Sequence, residues 1–119
     1  MNELSFEKID FGLVEADMWP KVIAQIEKDF AENQLDWTVS SEKDLFEGVF
    51  ESLKSFMLDL SRSNFDLYQL LYRIDVPEKY IISLKRLNDL ELFIEKLTEL
   101  IVRREIQKVL IRKYFSGIN

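Results

Sequence analysis

Between Asn88 and Gly117 the chain holds no proline and no glycine, and this uninterrupted stretch constrains the fold more than any other feature. Asn88 and Glu91 have the spacing of a capping box, so the stretch predicts a helix from about Asp89 to Phe115, ~40 Å long at 1.5 Å per residue. A compact chain of this size has a radius of gyration of about 13.5 Å and a width of ~35 Å. The C-terminal end of such a helix is therefore expected to overhang, to bend or to meet another chain.

Its apolar pattern changes direction part-way. Leu90, Phe93, Ile94, Leu97, Leu100 and Ile101 share one stripe, whereas Val102, Ile106, Val109 and Leu110 lie roughly opposite it on a helix of 3.6 residues per turn. Arg104, Lys108 and Arg112 continue the first stripe and span about 12 Å of that face. Three arrangements satisfy the pattern. The second apolar face, Val102, Ile106, Val109 and Leu110, packs on another subunit or protein while the cations are solvated. Alternatively the acidic N-terminal arm folds over the cations and neutralises them. In the third, Arg104, Lys108 and Arg112, with Arg73, form a cleft for a phosphate or carboxylate. No glycine-rich loop supports nucleotide binding there.

The remaining segments also read as helices. The two prolines and three glycines leave few turns, which favours helices joined tightly over a strand-rich fold. A first helix is expected from Trp19-Pro20 to about Asn33, with proline in its first turn. A second, capped by Ser41 with Asp44 in its first turn, carries Leu45, Phe46, Val49, Phe50, Leu53, Phe56, Met57 and Leu60 on one broad face. A third, from Asn64 to Arg73 or Ile74, is apolar nearly all round, which predicts a central position. Between these, Gln34 to Ser41 alternates as a packed loop or a single short strand, and residues 1–16 read as an arm, a short helix or an extended piece.

Within Leu70–Tyr80, LLYRIDVPEKY, Arg73 and Asp75 invite comparison with a catalytic pair. Pro77 cannot continue a helix and disfavours α conformation at Val76, so the chain must break there. Asp75 and Glu78 then have capping-box spacing for a fourth helix to about Leu87, with Arg73 on the C-terminal dipole of the third. Helix stop, turn and helix start account for the polar residues.

The absence of both cysteine and histidine removes most site chemistry. Disulfides, thiol nucleophiles, thiolate or imidazole zinc sites, haem–histidine ligation, Ser-His catalysis and Glu-x-x-His di-iron sites cannot be written. No EF-hand spacing is present, and Glu91, Glu95 and Glu99 lie off the apolar stripe as solvated carboxylates. We therefore expect no metal, no cofactor and no catalytic residue. The N-terminal residues have the wrong charge for an export signal and no apolar run approaches ~18 residues, so a cytoplasmic protein is expected, with membrane attachment unlikely. A net charge of -6 opposes nucleic-acid binding. Acids dominate residues 1–60; from residue 101 onward cations dominate, with Glu105 the lone acid.

FDLYQLLYRIDVPE and the closing IVRREIQKVLIRKYFS resemble a small family of helical bacterial proteins found mainly in the Bacteroidetes group. The likeness covers residues 65–78 and 101–116. It implies a bacterial cytoplasmic helical protein and supplies no functional residue. The sequence as a whole predicts a single all-α domain over residues 1–119, a bundle of four or five helices in which the second and third pack on the first half of the long last helix. Its expected role is a non-enzymatic protein–protein interaction module, self-associating through the C-terminal helix. The alternative is a small-anion-binding or enzymatic domain using Arg73, Arg104, Lys108 and Arg112.

Overall fold

Trp19-Pro20 opens the first helix as the sequence requires, with proline where its missing N–H is not needed. The computed structural model describes residues 4–39 and 45–116. Among the described residues there are five α-helices: α1 (Trp19–Ala31), α2 (Leu45–Ser61), α3 (Leu67–Arg73), α4 (Glu78–Leu84) and α5 (Leu90–Ser116). Ahead of α1, three short 3-10 turns at Phe6–Lys8, Phe11–Leu13 and Ala16–Met18 lay the N-terminal segment against the bundle. Phe6, Ile9 and Met18 are buried, and the Phe6 ring meets Tyr80 at 4.8 Å between centroids.

The 27 residues of α5 make a rod of about 40 Å, which only the longest of the molecule's 43 × 32 × 26 Å dimensions accommodates readily. The last residues of the helix, Arg112 to Phe115, are exposed beyond the packed middle. Around its middle, Leu100, Ile101, Val102, Glu105 and Ile106 are buried and Arg103 and Arg104 are half-buried, so protein surrounds it on nearly every side. The buried arc rotates along the helix. Ile94, Leu97 and Ile101 centre it in the first half; Val102, Ile106 and Val109 centre it in the second, displaced by roughly 110° at ~100° per residue. Two helices supply the cover, since α5 packs most extensively on α1 and on α2.

This corrects two expectations. Val102, Ile106 and Val109 are at most 3% exposed within one chain, and Leu110 is half-buried against the same core, so the second apolar face is not free for a partner. The central element is the middle of α5 and not α3, whose Tyr72 is 42% exposed; α1 takes the place in the core expected of α3. Val22, Ile26 and Phe30 of α1 and Val49, Leu53 and Met57 of α2 complete the interior. Between them the 35–39 connection is a packed extended loop: Leu35 and Trp37 are buried, and Trp37 Nε1 donates to Ser52 Oγ at 3.2 Å.

Helix ends also differ from the sequence reading. After α1, Gln34 takes a left-handed φ of 60° while Leu35 N–H donates to Phe30 O and Gln34 N–H to Ala31 O, the two bonds of a Schellman motif. After α3, Asp75 does the same with φ 69°, and Val76 N–H donates to Leu71 O. Asp75 therefore closes α3 and does not cap α4, whose N-cap is Pro77 without a side-chain bond. Asp66 caps α3 by accepting from Gln69 N–H, and Asp89, not Asn88, caps α5 by accepting from Leu92 N–H. The expected cap at Ser41 and Asp44 lies outside the described residues.

A non-glycine residue in the left-handed region is strained by its Cβ, and Gln34 is exposed with no side-chain contact to lose. Gln34→Gly should accordingly raise the unfolding free energy by about 0.5–1 kcal/mol, and Gln34→Val should lower it, as read by urea titration.

Candidate functional site

Gln25 and Asp29 of α1 and Asn33 of the turn that follows it recur every fourth residue and so form one row beside the buried apolar stripe. All three are buried, at 6%, 6% and 8% exposure. Facing them is the line on which α5 continues its first apolar stripe with Arg104, Lys108 and Arg112, joined by Glu105, which is 0% exposed. The two rows meet as a polar seam inside an otherwise apolar interface.

Each cation finds a different partner. Lys108 Nζ donates to Asp29 Oδ2 at 2.5 Å and stands 3.4 Å from Glu105 Oε1. Arg112 Nη2 donates to Gln25 Oε1 at 2.7 Å, while Gln25 Nε2 donates to Asp29 Oδ1 at 3.0 Å. Arg104 Nε donates to the Ile74 carbonyl at 3.0 Å and its Nη1 to Gln107 Oε1 at 2.7 Å; Asp75 is only a marginal partner at 4.0 Å. Arg73 Nη1 donates to Asn33 Oδ1 at 3.1 Å.

The four residues expected to hold an anion are thus not brought together around an open cleft. Arg73, Arg104 and Lys108 are each committed to a separate partner within the chain. Acidic neutralisation does occur at Lys108, but Asp29 of α1 supplies it; among the described residues no carboxylate of the N-terminal arm pairs with Arg104, Lys108 or Arg112. The arm does lie on α5, through Gln107 Nε2 donating to Leu4 O at 2.8 Å and the Arg103 guanidinium over the rings of Phe6 and Phe11.

Glu105 carries the strongest electrostatic strain. Neither of its oxygens has a well-aligned hydrogen-bond partner among the described residues. Burial, followed by the adjoining Asp29 carboxylate, pushes its pKa up to about 9 against the pull of Lys108, so at neutral pH it is a neutral acid. Burial alone would raise Asp29 too. The adjoining Glu105 carboxyl, the Lys108 ammonium with its charge and the Gln25 amide together outweigh it and hold Asp29 below its ordinary value. The cluster is therefore one anion, one cation and one neutral carboxyl, which is the charge state that a buried site tolerates.

Sequence reasoning named Arg73, Arg104, Lys108 and Arg112 but missed Gln25, Asp29, Asn33 and Glu105. The available signals were the four-residue spacing of the first three and the isolation of Glu105 in a basic segment. Two carboxyls and a lysine are adequate for acid–base chemistry, yet Asp29 and Glu105 are shut away from solvent. The arrangement can hold protons and fix helices; it gives a substrate no approach.

Where the seam reaches the surface, α1 and α5 diverge around a pocket of about 450 Å³ lined by Lys21, Ala24, Gln25, Lys28, Val109, Arg112 and Lys113. Among the described residues no group of three or more carboxylates is gathered as metal ligands would be, and no helix is long and apolar enough to cross a membrane. No protein-family model, no curated protein and no solved structure matches this chain. Function is therefore argued from geometry.

Because the folded pKa of Glu105 lies above its ordinary 4.5, its ionisation penalty is absent below that value and grows as pH rises toward 9. Asp29 acts in the opposite sense and withdraws its contribution only as pH falls through the acid range. Denaturation midpoints should consequently fall from about pH 5 to about pH 9, by several kcal/mol in unfolding free energy. Glu105→Gln, which keeps a donor toward Asp29 and an acceptor toward Lys108, should flatten that slope and exceed the wild type in stability at pH 8. An equally steep slope in the variant would remove Glu105 as its source.

Proposed function

We propose that this protein is a non-enzymatic helical interaction module that self-associates through the C-terminal end of α5. The observation carrying this reading is the pair of aromatic residues there. Tyr114 and Phe115 are 54% and 45% exposed, and their rings meet edge to face at 5.2 Å. Large exposed aromatics supply binding area at low conformational-entropy cost, and aromatic residues are enriched in interfaces. They stand on a 27-residue helix whose middle is held on most sides, so the end is presented rigidly.

The interior supports the non-enzymatic part of the proposal. Lysine and carboxylate groups near enough to exchange protons are consumed by one another at Asp29, Glu105 and Lys108, where both carboxyls are buried and the lysine is half-buried. The expected interface at Val102, Ile106 and Val109 is replaced by the helix end beyond them, where apolar side chains do face solvent. The likeness of residues 65–78 and 101–116 to a bacterial helical family agrees with such a module and adds no site residue to it.

Sedimentation velocity over low to high micromolar protein should register a concentration-dependent increase in mass. Tyr114→Ser with Phe115→Ser should hold the chain monomeric at every concentration while leaving its unfolding midpoint within about 0.5 kcal/mol of wild type, since exposed positions contribute little to the fold. A wild type that stays monomeric throughout defeats the proposal.

A further inference from the structure

We infer that the pocket between α1 and α5 captures an acidic, apolar-bearing peptide segment of a partner protein. This rests on the reading of the C-terminal end of α5 as the contacting end, and it assigns the chemistry recognised beside the aromatic pair. Lys21, Lys28, Arg112 and Lys113 surround the pocket on a chain whose net charge is -6, so four cations converge where the molecule as a whole is acidic. Lys21 and Lys28 are exposed and have no ion-pair partner among the described residues.

Two further features choose among anions. Arg112 is held by Gln25 Oε1 at 2.7 Å, and Gln25 is in turn fixed by Asp29, so this guanidinium is oriented before any ligand arrives. One N–H is used in that contact and the rest of its fork of donors remains for a carboxylate. Most of the pocket wall, by contrast, is apolar: Ala24, Val109 and the aliphatic stems of the lysines. A bare inorganic anion would leave that wall unused. An acidic segment bearing a leucine or phenylalanine engages both parts, its carboxylates on the cationic rim and its apolar side chain between the helices.

The recognition is rim electrostatics over a shallow apolar floor, so it should be sensitive to salt and to reversal of the two unpaired lysines. The test is fluorescence anisotropy of the full chain with a fluorescein-labelled peptide of alternating Glu and Leu, beside the same peptide with Gln in place of Glu. The Glu peptide should bind saturably, at least about tenfold more tightly than the Gln peptide, with the gap narrowing as salt is raised from about 50 to 300 mM. Lys21→Glu with Lys28→Glu should abolish the preference; should that variant misfold by circular dichroism, Lys21→Gln with Lys28→Gln replaces it and should weaken binding at least about fivefold. Absence of saturable binding by the wild type, equal affinity for the two peptides, or full binding by a folded lysine variant would overturn the assignment. So would displacement of the Glu peptide by inorganic phosphate at equal concentration, which would make the pocket a site for any small anion. Sedimentation separates the two proposals: association that persists without peptide binding removes the pocket's role alone, whereas loss of association with peptide binding intact removes the aromatic contact alone.

Discussion

The rotation of the buried face of α5 organises the rest of the molecule. A straight helix with one apolar stripe needs cover on one side; this one needs it first where Ile94, Leu97 and Ile101 point, then roughly a third of a turn away at Val102, Ile106 and Val109. Neither α1 nor α2 alone meets both demands. Placing one on each side buries the middle of α5 almost completely and makes the longest helix the axis of the bundle. The short helices α3 and α4 then need to cover only the remaining flank, and their few buried residues, such as Leu70, Leu71, Ile81 and Leu84, suffice for that.

At the crossing between the two arcs stand Glu105 and its neighbours. Buried ion pairs are weak sources of net stability, because desolvation offsets most of the attraction. Their leverage is against alternatives. If α1 slides by one turn against α5, Asp29 loses Lys108 and becomes an uncompensated buried charge, while Arg112 loses Gln25. An apolar interface of leucine and valine tolerates such a slip far better. The seam thus sets the register of α1 on α5, and the neutral Glu105 lets a second carboxyl sit there without a second charge.

Much of this architecture was legible in the sequence, and the reasons are local. The helical class, the five helices and the length of α5 follow from apolar periodicity and from the scarcity of Pro and Gly. The shift in direction at Ile101 and Val102 was legible too, since it needs only the pitch of the helix. Who covers the second face was not: the second half of α5 packs on α1, with Lys108 reaching Asp29, across a sequence separation of 79 that no periodicity encodes. The capping assignments at Asp75 and Asn88 failed for a related reason. Asp-x-x-Glu and Asn-x-x-Glu spacings fit more than one turn, and at Asp75 the closing of α3 on Leu71 and Tyr72 carbonyls took the residue first.

The cations of α5 form a graded series that explains why its far end, and not its middle, faces outward. Arg104 and Lys108 are satisfied inside by a backbone carbonyl and a carboxylate; their charge is spent on the fold. Arg112 is exposed yet tethered to Gln25, half within the seam and half beyond it. Past it, α1 supplies no further acid to the row of Gln25 and Asp29, and its charged residues lining the gap are Lys21 and Lys28. Like charges from two helices therefore approach one another where the interface ends. Such an arrangement favours an anion at this end of the interface, the more so at low ionic strength. The same polar row that locks the helices together at Asp29 thus gives way, one turn further on, to a cationic rim.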